Sequence, residues 1–168
     1  AANITGTLPA ISGANLTNLP ASGKATNLVL NGAMMVAQRG TSSTSTGYQT
    51  VDRIETHFSG TDENATQAQV DVASGTTPYT LGFRKAYKIT NGNQTSGAGA
   101  GDYIQIDYFP EAQDIANSGW NYTSTSSYVT VSFWIKSSVA QAFPFTFRTQ
   151  DGTSQAYNTS TGSLTADT

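Results

Sequence analysis

The 168-residue chain contains no cysteine. Disulfides and thiolate metal sites are therefore excluded, and so is catalysis by a cysteine nucleophile. Histidine occurs once, at His57 inside a predicted strand, so a zinc site would have no second imidazole ligand. No Gly-x-Ser-x-Gly sequence presents a serine for a Ser-His-Asp triad. We interpret His57 as structural and predict no metal site.

Charge is also scarce. Asp, Glu, Lys and Arg make up 11% of the chain, against about 25% in an average domain. The net charge is −3 and no basic cluster occurs, which argues against a nucleic-acid partner because that binding depends on clustered Lys and Arg. No apolar run approaches the roughly 20 residues that span a bilayer, so we predict no membrane insertion.

Paired carboxylates are the remaining route to catalysis. A glycosidase needs two carboxyl groups about 5–10 Å apart. The candidate pairs closest in sequence are Asp52 with Glu55 and Asp107 with Glu111. Among eleven acidic residues such pairs arise by chance, and Asp52 next to Arg53 indicates an ion pair or a turn-stabilising group. We predict no cofactor and no enzymatic activity.

The first 26 residues combine turn-forming residues with regularly spaced aliphatics, and Leu-Pro-Ala occurs twice, at Leu8–Ala10 and Leu19–Ala21. Burying so few aliphatics within one chain contributes less than ordering the segment costs. The repetition favours packing against copies of the chain or against a partner; a disordered linker is the alternative. The residues expected to be buried in this way are Ile4, Leu8, Ile11, Leu16 and Leu19.

Beyond residue 26 the pattern is that of β structure. Strands are predicted at Val51–Phe58, Gln67–Val72, Phe83–Thr90, Asp102–Phe109, Tyr128–Ser137, Phe143–Thr149 and Ser154–Asn158. One short helix is predicted at Pro110–Asn117, ending near Gly119. Roughly eight strands favour an all-β, antiparallel sandwich of jelly-roll type over residues 27–168. In the strand Tyr128–Ser137, Trp134 would lie opposite the aliphatic face, either covered by a neighbouring subunit or exposed.

A motif follows the opening segment. The run Asn27–Ser42, NLVLNGAMMVAQRGTS, precedes Tyr48 and then Asp52-Arg53. It resembles phage tail-fibre proteins, many from marine and cyanobacterial phages, in which Asn-Gly-x-Met-x-Val-Ala-Gln-Arg-Gly precedes a Tyr and an Asp-Arg-Trp. Ile54 here replaces that Trp. The opening repeats resemble tail-fibre stalk linkers, and Tyr128–Lys136 is similar to a core strand of jelly-roll carbohydrate-binding modules.

The resemblance implies a homotrimeric fibre component of the virion, in which residues 1–26 form an extended stalk or collar and the β domain contacts the host surface. Two identical chains and other tail or fibre proteins would then be its partners. The motif carries no known catalytic residues. Both ends of the chain lack a recognisable start or stop, so we expect a piece of a longer protein that lacks the last strand or strands of its β domain.

Glycan binding would need exposed aromatic rings beside amides and hydroxyls. The candidates are Trp120, Tyr122, Tyr48, Tyr79 and Tyr157, and the alternative for each is a rim aromatic that packs on its own domain. The expected function is a tail-fibre segment that mediates adhesion by binding host-surface polysaccharide. Two alternatives stay open: a segment that docks the fibre to the tail, and the binding module of a polysaccharide-degrading enzyme.

Overall fold

The computed structural model describes residues 27–150 and 152–167. The chain divides into two compact units, Ala1–Val129 and Thr130–Thr168. Regular structure in the described residues is mostly strand, and every strand pair is antiparallel, which confirms the all-β prediction. The predicted stalk and its five aliphatic residues lie outside the described residues, so that part of the interpretation stays a prediction.

The first unit contains two separate sheets. One has three strands in the order β1-β3-β4 and the other pairs β2 with β5. These strands are β1 (Ser42–Ser43), β2 (Ile54–Ser59), β3 (Thr66–Asp71), β4 (Lys85–Thr90) and β5 (Tyr103–Tyr108). In β2, Ile54 and Thr56 are buried while the alternate residues are more exposed, as the period of two requires. The register places Ile54 opposite Tyr108.

Two short helices complete the first unit: α1 (Thr77–Thr80) and α2 (Ala112–Ser118). The predicted helix is confirmed as α2 with a small shift of its bounds, and Gly119 ends it in the left-handed conformation at φ 78°. The sequence analysis did not predict α1. The side chain of Thr76 caps it by accepting a hydrogen bond from the backbone N–H of Tyr79.

The second unit contains one hairpin, β6 (Ala142–Arg148) paired with β7 (Ala156–Ser163). The ring of Phe145 on β6 makes edge contacts with Phe133 and Phe147, at centroid distances of 5.7 and 5.6 Å. None of the described residues of this unit is buried. Because no described residue is buried, this unit exposes apolar surface that a complete core would cover. An isolated two-stranded hairpin is also at best marginally stable in water.

The predicted strand Tyr128–Ser137 is wrong. Its residues alternate as a strand should, but the structure assigns no strand there. The physical reason is the absence of a partner: within the described residues, the backbone of 128–136 makes no hydrogen bond. Trp134 is 57% exposed within one chain, and cover by a neighbouring subunit stays a prediction. The other six predicted strands are confirmed with shifted bounds.

Candidate functional site

The motif at residues 27–53 folds into a hydrogen-bonded turn centred on Asn31. The Nδ2 of Asn31 donates to the carbonyls of Val36 (2.9 Å) and Asp52 (3.0 Å), and its Oδ1 accepts from the Val36 N–H (3.0 Å). The Asp52 N–H in turn donates to the Val36 carbonyl at 2.9 Å. We call Asn31, Val36 and Asp52 the Asn31 joint. It ties the segment before β1 to the segment before β2.

The charged residues of the motif extend this joint. The Asp52 carboxylate accepts from the Gln38 N–H at 3.1 Å and lies 3.9 Å from Arg39, so its ion-pair partner is Arg39 and not the adjacent Arg53. Arg53 donates to Glu111 and lies 3.5 Å from Asp114, both on or beside α2. That hydrogen bond lowers the pKa of the Glu111 carboxyl and raises the pKa of Arg53. Each charged group of the motif thus has a structural partner.

A polar cluster lies behind the motif in the interior of the first unit. The side chain of Gln67, 1% exposed, donates to the carbonyls of Ser45 (2.7 Å) and Gly47 (3.2 Å). Its Oε1 accepts from Thr50 (3.2 Å) and Tyr87 (3.0 Å). Burial raises the pKa of Tyr87. Every hydrogen-bonding atom of the Gln67 amide is therefore satisfied. The same bonds join β3 and β4 to the loop before β2.

Two loops meet at one end of the first unit, residues 60–65 after β2 and 91–102 after β4. The Asp62 carboxylate accepts hydrogen bonds from the backbone N–H groups of Thr95 and Ser96, both at 2.7 Å, and from their hydroxyls. These bonds, led by the backbone bond from Ser96, lower the pKa of Asp62. The Glu63 carboxylate accepts from the Asn93 N–H at 2.6 Å. The two acids hold the loops together.

A cleft of about 610 Å³ opens between these loops and Thr44. Its lining consists of hydroxyl, amide and carboxylate side chains together with Gly92, and it contains no aromatic ring. Two carboxylates in this cleft, those of Asp62 and Glu63, already accept hydrogen bonds from the facing loop. The cleft therefore offers polar contacts to a ligand but no ring on which a sugar face could stack.

Gly92 fixes how closely the two loops approach. A Cβ at this position would lie 2.7 Å from the Glu63 carbonyl oxygen and 2.8 Å from the Glu63 Cβ. We expect Gly92→Ala to lower the free energy of unfolding by about 1–3 kcal/mol, because the clash involves backbone that cannot rotate away. Urea denaturation measures the change. Gly101→Ala is the matched control, since nothing lies within 4 Å of its added Cβ; equal losses for both variants would contradict the close approach.

Among the predicted glycan-binding residues, the structure brings Trp120 and Tyr122 together. Their rings meet edge to face at 6.3 Å in the loop after α2, and Tyr122 is 72% exposed. The indole N–H of Trp120 is buried and makes no hydrogen bond. The loop is held by its own side chains: Asn121 accepts from the Thr123 hydroxyl at 2.7 Å, and its N–H donates to Ser127 at 3.1 Å. A ring with adjacent hydroxyls and an amide is thus held in place.

The other candidates are dispersed. Tyr48 lies near Glu55 before β2, where burial, with the Glu55 carboxylate adding to it, raises the pKa of its hydroxyl. Tyr79 lies on α1, where the Arg84 guanidinium stacks 4.0 Å from its ring centroid and leaves that face covered. Tyr157 lies on β7 in the second unit and is 66% exposed. The described residues of the first unit do not gather Tyr48 or Tyr79 with the Trp120–Tyr122 pair.

The histidine and the carboxylates that are candidates for catalysis make structural contacts instead. His57 lies 3.0 Å from Glu55 on β2, and both side chains are partly exposed. Glu111 pairs with Arg53, whereas the Asp107 carboxylate accepts from Gln105 at 2.7 Å. Within residues 27–150 and 152–167, no group of three or more His, Cys, Asp or Glu side chains is arranged to hold a metal ion. Over the same range, no helix has the length and apolar character needed to cross a membrane.

Comparison of the chain with protein-family models, with curated proteins and with solved structures found no match. The described residues form an all-β antiparallel protein. Its main features are the Asn31 joint in the motif, the exposed aromatic loop with Trp120 and Tyr122, and the exposed apolar residues around Trp134 that form no strand. Sequence reasoning missed the polar cluster around Gln67 and the cleft between the loops. Both depend on contacts between residues that are far apart in the chain, for which no local pattern exists.

Proposed function

We propose that the chain is a structural segment of a phage tail fibre that also binds glycans on the host surface. The resemblance of the Asn27–Arg53 motif to tail-fibre proteins supports the structural half of this proposal. The hydrogen bonds of Asn31 and Asp52 agree with it, since they serve the fold and leave no charged group of the motif free for chemistry. The protein would act as a virion component rather than as an enzyme.

The adhesive half rests on one observation, the exposed ring of Tyr122 beside Trp120 in a loop rich in hydroxyls and amides. The face of such a ring would cover the apolar face of a sugar, and the amide and hydroxyls of Asn121, Thr123 and Ser124 in the same loop would exchange their bonds within the loop for bonds to its hydroxyls. A single contact of this kind is weak. Three copies in one fibre would multiply it, because each further site binds at a high effective concentration.

A glycan array probed with the full chain tests the adhesive half. We expect Tyr122→Ala to weaken binding to any retained polysaccharide by about tenfold, which corresponds to about 1.4 kcal/mol. Tyr157→Ala is the matched control, because this tyrosine is almost as exposed but lies in the other unit. Equal losses for the two variants would reject the Trp120–Tyr122 loop as the site, and the absence of any bound glycan would reject adhesion by this chain.

The proposal includes a homotrimer in which the expected interface residues near the start of the chain pack around a threefold axis, and a β domain of jelly-roll type. Support for assembly comes from the second unit, whose described residues include none that is buried. Its exposed apolar side chains also favour the second candidate function, which is docking of the fibre to another tail protein. A chain that binds a tail protein and no glycan would support this second candidate.

A further inference from the structure

The open segment Thr130–Ile135 of the second unit has the sequence of a strand and no strand partner. Val131, Phe133 and Ile135 alternate with polar residues or Trp134, and all four large side chains are 40–57% exposed. Its backbone N–H and C=O groups make no hydrogen bond within the described residues. An extended stretch of this kind, with β-branched and aromatic side chains and no charge, is suited to pairing with the edge of a sheet.

The same unit offers one suitable sheet edge. Of the two strands in its hairpin, β6 is the poorer edge, because it contains Pro144, which cannot donate. The strand β7 contains neither proline nor any charged residue, and Tyr157 and Thr159 favour strand structure. Its last part is irregular, because three residue steps from Ser160 to Ser163 face two on β6 and Gly162 adopts φ 73°. The regular edge is therefore Ala156–Ser160. Natural edge strands usually carry a charge or a proline that blocks pairing, and β7 has neither.

Within one copy the open segment does not pair with β7. Its contact with the hairpin runs through Phe133, which meets Phe145 on β6. By sequence, the first 26 residues of the chain are less suited to pair with the open segment, because they contain Pro9 and Pro20 together with Gly6 and Gly13. A second copy, in contrast, brings both an open segment and a free β7 edge.

We propose that copies of this chain assemble by strand addition, in which the open segment of one copy pairs with the outer edge of β7 in the next. The contact joins two different surfaces, and a rotation of a third of a turn between successive copies would close it into the ring that a threefold fibre requires. Each hairpin would then become a three-stranded sheet, the smallest with independent stability. The pairing would also cover the apolar side chains of Val131, Phe133 and Ile135. This inference rests on the self-assembly in the proposed function and is independent of glycan binding.

The cysteine-free chain allows a direct test by cross-linking. Two full-length variants, Ser132→Cys and Ser160→Cys, place single thiols in the open segment and on β7, at positions that are both exposed. After the two are mixed and re-equilibrated, a short bis-maleimide should give a cross-linked dimer that neither variant gives alone. Cross-linking of Ser132→Cys with itself would indicate pairing of two open segments instead and would overturn the proposal. The absence of any product above the level of the cysteine-free chain would also overturn it.

Light scattering after size exclusion measures the mass of the assembly and distinguishes failure of this particular interface from failure of the chain to assemble at all. We expect Val131→Asp to shift the full chain toward the 17.6 kDa monomer, because a carboxylate would enter the new sheet. Val139→Asp is the matched control: this valine is 52% exposed, close to the 46% of Val131, but lies outside the open segment. If the wild-type chain is itself monomeric, the proposed assembly fails. If it is oligomeric and Val131→Asp leaves its mass unchanged, only the interface proposed here fails.

Discussion

Replacement of Gln67 by alanine is expected to lower the free energy of unfolding of the first unit by about 3–5 kcal/mol. The amide of Gln67 satisfies two backbone carbonyls, those of Ser45 and Gly47, and receives the hydroxyls of Thr50 and Tyr87. Removing it leaves the buried Thr50 hydroxyl without this acceptor, which costs about 1–3 kcal/mol, and empties the space of a fully buried side chain, which adds a cavity cost. The Gly47 carbonyl and the Tyr87 hydroxyl keep hydrogen bonds to Thr56. Stability totals of 5–15 kcal/mol make this a severe loss.

Urea denaturation of the full chain, followed by tryptophan fluorescence in a Trp134→Phe background, measures the change. In that background Trp120 is the only remaining tryptophan and reports on the first unit. Gln105→Ala is the matched control, since Gln105 is exposed on β5 and its side chain bonds only to Asp107; we expect a change within about 0.5 kcal/mol. If Gln67→Ala loses no more than the control, the polar cluster does not hold this unit together.

Gln67 also shows why the interior could not be read from the sequence. In β3, TQAQVD, the fully buried side chain is a glutamine, whereas the apolar Val70 is only partly buried. The burial of Gln67 depends on carbonyls at residues 45 and 47 and on a hydroxyl at residue 87, which converge only after two sheets form. Alternation of apolar and polar residues correctly predicted that residues 67–71 form a strand. It could not predict which of its side chains enter the core.

The segment after residue 128 illustrates the opposite error. Val129, Val131, Phe133 and Ile135 form a better alternating pattern than β2 or β3, yet this stretch pairs with nothing in the described residues. A strand is held by hydrogen bonds to a neighbouring strand, and a favourable sequence does not by itself provide that neighbour. The helix α2 was predictable because its signals, a start at Pro110-Glu111 and a stop at Gly119, are local. Among the aromatic candidates, Trp120 and Tyr122 are close in sequence, and their rings are in contact.

The Asn-Gly turn of the motif was predictable in part. Asn31 adopts φ 60°, as an asparagine in a tight turn readily does. The runs that flank it are not strands, however, because the side chain of Asn31 bonds across the turn and to Asp52, 21 residues away. Arg53 likewise forms ion pairs with Glu111 and Asp114, which are far from it along the chain. The motif could be recognised as a pattern, but its structural role became clear only from these distant contacts.

Asn31→Ala is therefore expected to lower the free energy of unfolding by about 2–4 kcal/mol. Its three side-chain hydrogen bonds are worth about 1 kcal/mol each, and alanine is strained by about a further 1 kcal/mol at this positive φ. Asn31→Gly separates the two causes, because glycine loses the same hydrogen bonds without the strain. In the same urea assay we expect the glycine variant to fall between the wild type and the alanine variant.

The control for Asn31 is Asn93→Ala, in an exposed loop position whose side chain makes no hydrogen bond; we expect a change within about 0.5 kcal/mol. Loss of the Asn31 joint should also increase amide hydrogen exchange at Val36 and Asp52, whose N–H groups donate to Asn31 and to the Val36 carbonyl. Exchange at Val70 in β3 serves as the reference, because its strand pairs with β4 and reports on opening of the unit as a whole; we expect a larger increase at Val36 and Asp52 than at Val70. A glycine variant as stable as the wild type, with unchanged exchange at Val36, would show that the motif asparagine is there for its backbone conformation alone.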